Sequence, residues 1–140
     1  LVDMGVEPFL VSSTLVCVVS QRLVRTLCNK CKKVHKPSPE ILKRLGLAAA
    51  RATTIKFYQA VGCDECMKTG YKGRTAIFEV MEVGDAIAPL IMKNSDTGSI
   101  RQKAVQHGMV PLIEDGIRIL KEGKTSIEEV LGVAFADKEG

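Results

Sequence analysis

Two Cys-x-x-Cys pairs, Cys28 with Cys31 and Cys63 with Cys66, are separated by 31 residues and constrain this chain more than any other feature. A two-residue gap lets both sulfurs of a pair turn inward on one tight knuckle, and two knuckles supply the corners of a tetrahedron. The spacing points first to a Zn2+ site of four thiolates. Such a site has no open coordination position and is therefore structural. A redox or disulfide couple and an iron–sulfur cluster are the other readings of paired cysteines, although a thioredoxin-type couple would need only one pair. A fifth cysteine, Cys17, makes the count odd, and the opening Leu-Val-Asp-Met carries no basic leader. A secreted disulfide framework is therefore disfavoured and a reducing cytoplasm expected. The same opening lacks an initiator Met and reads as part of a longer protein.

Charge supports a local role for the cysteines. Residues 1–74 hold 13 Lys/Arg against 5 Asp/Glu, whereas residues 75–140 hold 7 against 11. Four thiolates around one divalent ion leave a net double negative charge, which Lys30, Lys32, Lys33, Lys68 and Lys72 would offset while favouring thiolate over thiol. A basic stretch of this kind also suits nucleic acid or anionic lipid. Aromatic side chains able to stack on bases are few there, only Phe57, Tyr58 and Tyr71. The longest unbroken apolar run, Leu15 to Val19, is far short of the ~20 residues a spanning helix needs.

Hydrophobic spacing gives the elements. Phe9, Leu10, Leu15, Val16, Val19, Leu23, Val24 and Leu27 recur at three and four residues and predict one long amphipathic helix over about 8–27, opened by Pro8. Cys17 on that helix reads as a small buried hydrophobe. Residues 28–73 are poor in large apolar side chains and need a staple to hold shape. Within them, Ser38-Pro39 and Gly46 bracket a helix over 39–45, and Ile55 to Tyr58 suggests a short strand. His35 reads as a solvated member of the basic stretch. Residues 74–83 form a strand with apolar residues on both faces, which predicts burial on two sides. Helices follow near 86–93 (capped by Asp85, with Pro89 awkwardly inside), 98–107, 111–122 and 126–133, the last behind the capping box that Thr125 and Glu128 form.

No phosphate loop, Gly-x-Gly-x-x-Gly, His-Glu-x-x-His or Gly-x-Ser-x-Gly motif is present, so the chain shows no catalytic machinery. The run Asp3-Met4-Gly5-Val6-Glu7-Pro8-Phe9-Leu10, the segment Gln21-Arg22-Leu23-Val24-Arg25 before Cys28, and Gly62-Cys63-x-x-Cys66 carry a resemblance. So do Thr69-Gly70-Tyr71-Lys72-Gly73-Arg74-Thr75, Glu114-Asp115-Gly116 and Thr125-Ser126-Ile127-Glu128-Glu129-Val130-Leu131. In these motifs the chain resembles the C-terminal part of the GspE/PilB family, the hexameric ATPases of type II secretion and type IV pilus assembly.

The resemblance implies an α/β fold: the C-terminal part of a RecA-like P-loop NTPase domain, mostly helical, with a four-cysteine zinc-ribbon-like insertion and a few short strands. It implies three regions: 1–27 as a long helix of the ATPase core, 28–73 as the zinc element, and 74–140 as a core strand plus a C-terminal helical subdomain. Cys28, Cys31, Cys63 and Cys66 are the implied metal ligands. Arg74, with Gln21 and Arg22, is implied at the edge of the nucleotide, and no catalytic residue lies in this chain. ATP and Mg2+ belong to the longer parent, an ATPase, and this piece alone is expected to be inactive. Implied partners are further copies in a homo-hexamer and an inner-membrane platform protein, with no nucleic acid, on the cytoplasmic side of that membrane. A stand-alone zinc module using its basic stretch is the alternative.

Overall fold

The computed structural model describes residues 1–135 of the 140, so the last five residues of the predicted helical subdomain 74–140 lie outside the described residues. The elements are α1 (Pro8–Thr14), β1 (Cys17–Leu27), β2 (Lys33–His35), α2 (Pro39–Leu45), α3 (Ala49–Ala52), β3 (Phe57–Gln59), β4 (Tyr71–Glu82), α4 (Ala88–Met92), α5 (Thr97–Gln106), α6 (Leu112–Lys121) and α7 (Ile127–Ala134). The fold is a mixture of helix and strand. Two of its strands, β1 and β4, are long rather than short.

The predicted helix over 8–27 is wrong beyond Thr14. The hydroxyls of Ser12, Ser13 and Thr14 bond back to the carbonyls of Phe9 and Leu10, competing with the helix ladder, and Leu15 is extended. From Cys17 the β-branched run pairs with β4 instead. Val83 N–H donates to the Val16 carbonyl (2.8 Å) and Cys28 N–H to the Gly70 carbonyl (3.0 Å), which sets the two strands antiparallel. Apolar residues three and four apart in so dense a run also satisfy a strand, and the long-range pairing decides. Cys17 is exposed at the start of β1, not buried on a helix.

The chain divides into two compact units. The first comprises Leu1–Ser20 and Phe78–Pro111. In it α1 packs on α4, burying Val11 and Ile87. Pro89 falls in the first turn of α4, where its missing N–H costs nothing, so the helix starts at Ala88 and Asp85 does not cap it. The Asp96 carboxylate caps α5 by accepting from Ser99 N–H (3.2 Å), and Arg101 on α5 pairs with Glu79 on β4 (2.7 Å).

The second unit comprises Gln21–Ile77 and Leu112–Gly140. Here Lys33, Val34 and His35 pair antiparallel with Gln59, Tyr58 and Phe57. Helix α2 has the predicted bounds, with Ser38 capping its start and Gly46 left-handed at its end. Its core joins Leu45, Leu47, Ile55 and Phe57 to Ile117, Leu120, Ile127 and Val130 of α6 and α7. The apolar-poor segment 28–73 thus finds half of its core in the C-terminal helices. A second cluster packs Val24 and Ile77 of the strands on Leu112 and Ile119 of α6. Ile77 is the buried residue of β4, while Phe78 (41% exposed) and Val80 (46%) on the alternate face are exposed, against the expected two-sided burial.

Candidate metal centre

The four cysteines converge in the second unit. Cys28 sits directly after β1, and a turn at residues 29–31 brings Cys31 beside it, closed by Lys32 N–H donating to the Cys28 carbonyl (3.0 Å). The other knuckle is a single 3-10 turn, Asp64–Cys66, followed by Met67 and Lys68 in left-handed backbone, with Lys68 N–H returned to the Cys63 carbonyl (2.8 Å). Gly70 must stay glycine. Its φ is +84°, and a Cβ there would lie 2.6 Å from the Ala60 Cβ.

All four sulfurs lie within 4.8 Å of one another. Cys28 and Cys63 are 3.8 Å apart, Cys31 and Cys66 3.8 Å, and Cys63 and Cys66 3.7 Å. Metal–sulfur bonds of about 2.3 Å in a tetrahedron place sulfurs about 3.8 Å apart, so the spacing fits one four-coordinate divalent ion. Backbone N–H groups face the sulfurs: Gly62 donates to Cys31 (3.3 Å), and Cys63 and Gly70 donate to Cys66 (both 3.2 Å). Such donors orient a thiolate ligand and favour its charge.

The thiols are tuned unequally. Burial opposes ionisation of Cys66, but the N–H groups of Cys63 and Gly70 outweigh it and bring the thiol down to about 6. Cys28 is also lowered, chiefly by the Lys30 N–H. For Cys31 the Gly62 N–H favours the thiolate, yet burial and the neighbouring sulfurs together push the thiol up to about 11. Like charges so close resist the last ionisation, and a divalent cation at their centre removes that resistance. A dithiol redox couple gives no reason for four sulfurs to lie within 4.8 Å of one another.

Four of the five lysines have partners other than the sulfurs. Lys30 and Lys72 pair with Glu65 (3.0 and 3.7 Å), Lys68 pairs with Asp64 (2.7 Å), and Lys32 donates to the Gly123 carbonyl (2.8 Å) while covering the Tyr58 ring. The direct donors to the sulfurs are backbone N–H groups. Half-buried His35 is not among the clustered ligands; it lines a cavity of about 500 Å³ with Arg44, Tyr58 and Glu128. Gln21 and Arg22 lie on β1 and Arg74 on β4, with Gln21 and Arg74 exposed; these three are not part of the sulfur cluster.

Sequence reasoning missed Tyr71, Thr125 and Glu129. The sequence pattern places Thr125 in a capping box. Ser126 is the cap of α7, accepting from Glu129 N–H (3.4 Å). The Glu129 carboxylate instead accepts from the Arg25 backbone N–H and guanidinium (both 2.8 Å), and the Thr125 hydroxyl donates to the Arg25 carbonyl (2.7 Å). The family motifs contain all three, but their partners, 55 to 104 residues away, leave no local trace.

Residues 1–132 match the family model described as "Type II/IV secretion system protein". The chain belongs to that family. Within the type II/IV secretion family it is 46% identical, over 92% of its length, to the type IV pilus assembly ATPase PilB of Thermus thermophilus, covering 14% of that protein. It is 37% identical over 99% of its length to PilB of Myxococcus xanthus and 40% identical over 94% to the type II secretion system ATPase E of Vibrio cholerae, covering 25% of each. The chain thus spans a quarter or less of the length of these curated relatives. The relatives are named as ATPases of both machines, pilus assembly and secretion. Among the described residues no helix is long and apolar enough to cross a membrane.

Proposed function

We propose that this chain is the C-terminal region of a hexameric motor ATPase that drives type IV pilus assembly or type II protein secretion, and that its four cysteines hold one structural Zn2+. The observation that carries the reading is the 46% identity to a PilB ATPase through a segment containing a four-sulfur tetrahedron. With four thiolates filling its coordination sphere, the ion supplies rigidity and no reactive position. Residues 28–73 form the metal element, and residues 1–27 with 74–140 belong to a RecA-like ATPase core and its terminal helices.

In this reading the chain's own work is mechanical. A metal-clamped projection gives a rigid surface through which one subunit pushes on its neighbour or on an inner-membrane platform protein, at the cytoplasmic face of that membrane. ATP and Mg2+ are bound by the longer parent, with Arg74, Gln21 and Arg22 at the nucleotide's edge. The exposed lysines Lys33 and Lys36 face partner protein rather than nucleic acid.

Elemental analysis of purified protein should return one zinc per chain, and the piece alone should not hydrolyse ATP while the full-length parent does. Protein purified without metal, or ATP turnover by this piece alone, refutes the reading.

A further inference from the structure

Residues 123–126, the turn between α6 and α7, are held by the chain segments that present the sulfurs. Leu27, directly before Cys28, donates its N–H to the Lys124 carbonyl (2.8 Å). Lys32, directly after Cys31, donates to the Gly123 carbonyl (2.8 Å). Tyr71 follows Gly70, whose N–H donates to Cys66, and its hydroxyl is 2.8 Å from Ser126 Oγ. The Tyr71 ring carries the Arg25 guanidinium at 4.1 Å, and that same residue is gripped by Thr125 and Glu129. Thr125 (1% exposed) and Ser126 (4%) are buried polar residues, and their hydroxyls are satisfied by these bonds. A buried polar group deprived of its partner is costly, so these bonds favour the turn seated with all of them made together.

We propose that Tyr71 and Thr125 are positioning residues of the metal centre, forming with Arg25 and Glu129 a latch that couples metal occupancy to seating of the α6–α7 turn. The coupling is reciprocal. Bound metal fixes Cys28, Cys31 and Cys66 and so fixes the strand ends on which the turn sits. A partner that grips α7 in turn changes how tightly the metal is held. This makes the metal site a reporter of the C-terminal helices rather than a remote staple.

The inference rests on the metal reading above, and the test separates the two. Protein loaded with Zn2+ is mixed with excess chromogenic chelator and metal release is timed. Thr125→Val keeps the shape and removes the donor to Arg25; Tyr71→Phe keeps the ring over Arg25 and loses only the hydroxyl. Each should speed release about fivefold, the worth of one net hydrogen bond. Ile117→Val trims the core with a comparable loss of stability but removes none of the latch hydrogen bonds, and should leave release near the wild-type rate. Amide exchange at Glu129 and Val130 should rise on metal removal, and rise partway in Thr125→Val with metal still bound. Should one latch variant fail to fold, the other decides. Wild-type protein that takes up no Zn2+ overturns both readings. Uptake with release unchanged in the folded latch variants, or equally fast in Ile117→Val, overturns the latch alone.

Discussion

Gly116 sits inside α6, where a glycine ordinarily weakens a helix by about 1 kcal/mol relative to alanine. On propensity alone Gly116→Ala should stabilise the protein. The packing says otherwise. An added Cβ would stand 2.5 Å from Val130 Cγ1 and 3.4 Å from its Cγ2, and Val130 is fully buried (0% exposed) in the core shared by α6 and α7. Carbon contacts settle at roughly 3.5–4.0 Å, so about 1 Å must be found. A β-branched residue in a helix holds one strongly preferred rotamer, so Val130 cannot swing aside and the helices must part. Such overpacking costs about 1–3 kcal/mol. Gly116→Ala should therefore destabilise the wild type by roughly 1 kcal/mol once the propensity gain is subtracted. In a Val130→Ala background the obstructing methyls are gone, and the same substitution should stabilise by about 1 kcal/mol. Urea unfolding of the four proteins with metal saturated measures both numbers as a double-mutant cycle. The same sign in both backgrounds would refute the close approach of α6 and α7.

Gly70→Ala should weaken metal binding about tenfold or more, since a left-handed alanine costs ~1–2 kcal/mol before the collision with Ala60 is counted; metal-buffer titration measures it. In metal-free protein, Cys66 has its thiol lowered from 9.0 to about 6, so its contribution to folding is present above the unfolded value and lost as pH falls through about 6. Cys31, raised to about 11, contributes below its unfolded value and loses that contribution only as pH rises through about 11. Urea midpoints of the metal-free protein should accordingly drop on acidification from about 9 to 6, and Cys66→Ser should flatten that slope. Arg74→Ala in the full-length ATPase should raise the KM for ATP; an unchanged KM removes it from the nucleotide's edge. Lys33→Glu with Lys36→Glu should weaken platform binding at unchanged zinc content. Lys32 is best left alone in that experiment because it holds the Gly123 carbonyl.

Where the governing physics is local, the sequence was readable. Helix α2 has its predicted bounds because a serine cap, a first-turn proline and a left-handed glycine all act within one turn of the residues they stop. The Cys-x-x-Cys gaps closed into knuckles for the same reason. The region 8–27 failed because its apolar density satisfies a helix and a strand alike, and the choice fell to a partner strand, Tyr71–Glu82, distant in sequence. The direct partners of Lys30, Lys68 and Lys72 escaped the sequence because Asp64 and Glu65 meet them only once the knuckles close.

The sequence by itself determined that four sulfurs would meet and, through its motifs, which family the chain belongs to. Both rest on residues whose spacing or identity suffices without knowledge of distant neighbours. Only the tertiary structure decided that 17–27 is a strand, that Ile77 of β4 is buried while Phe78 and Val80 are exposed, and that Arg25 meets Tyr71, Thr125 and Glu129. Those outcomes depend on hydrogen bonds and packing between segments up to about a hundred residues apart, whose partners no local pattern names.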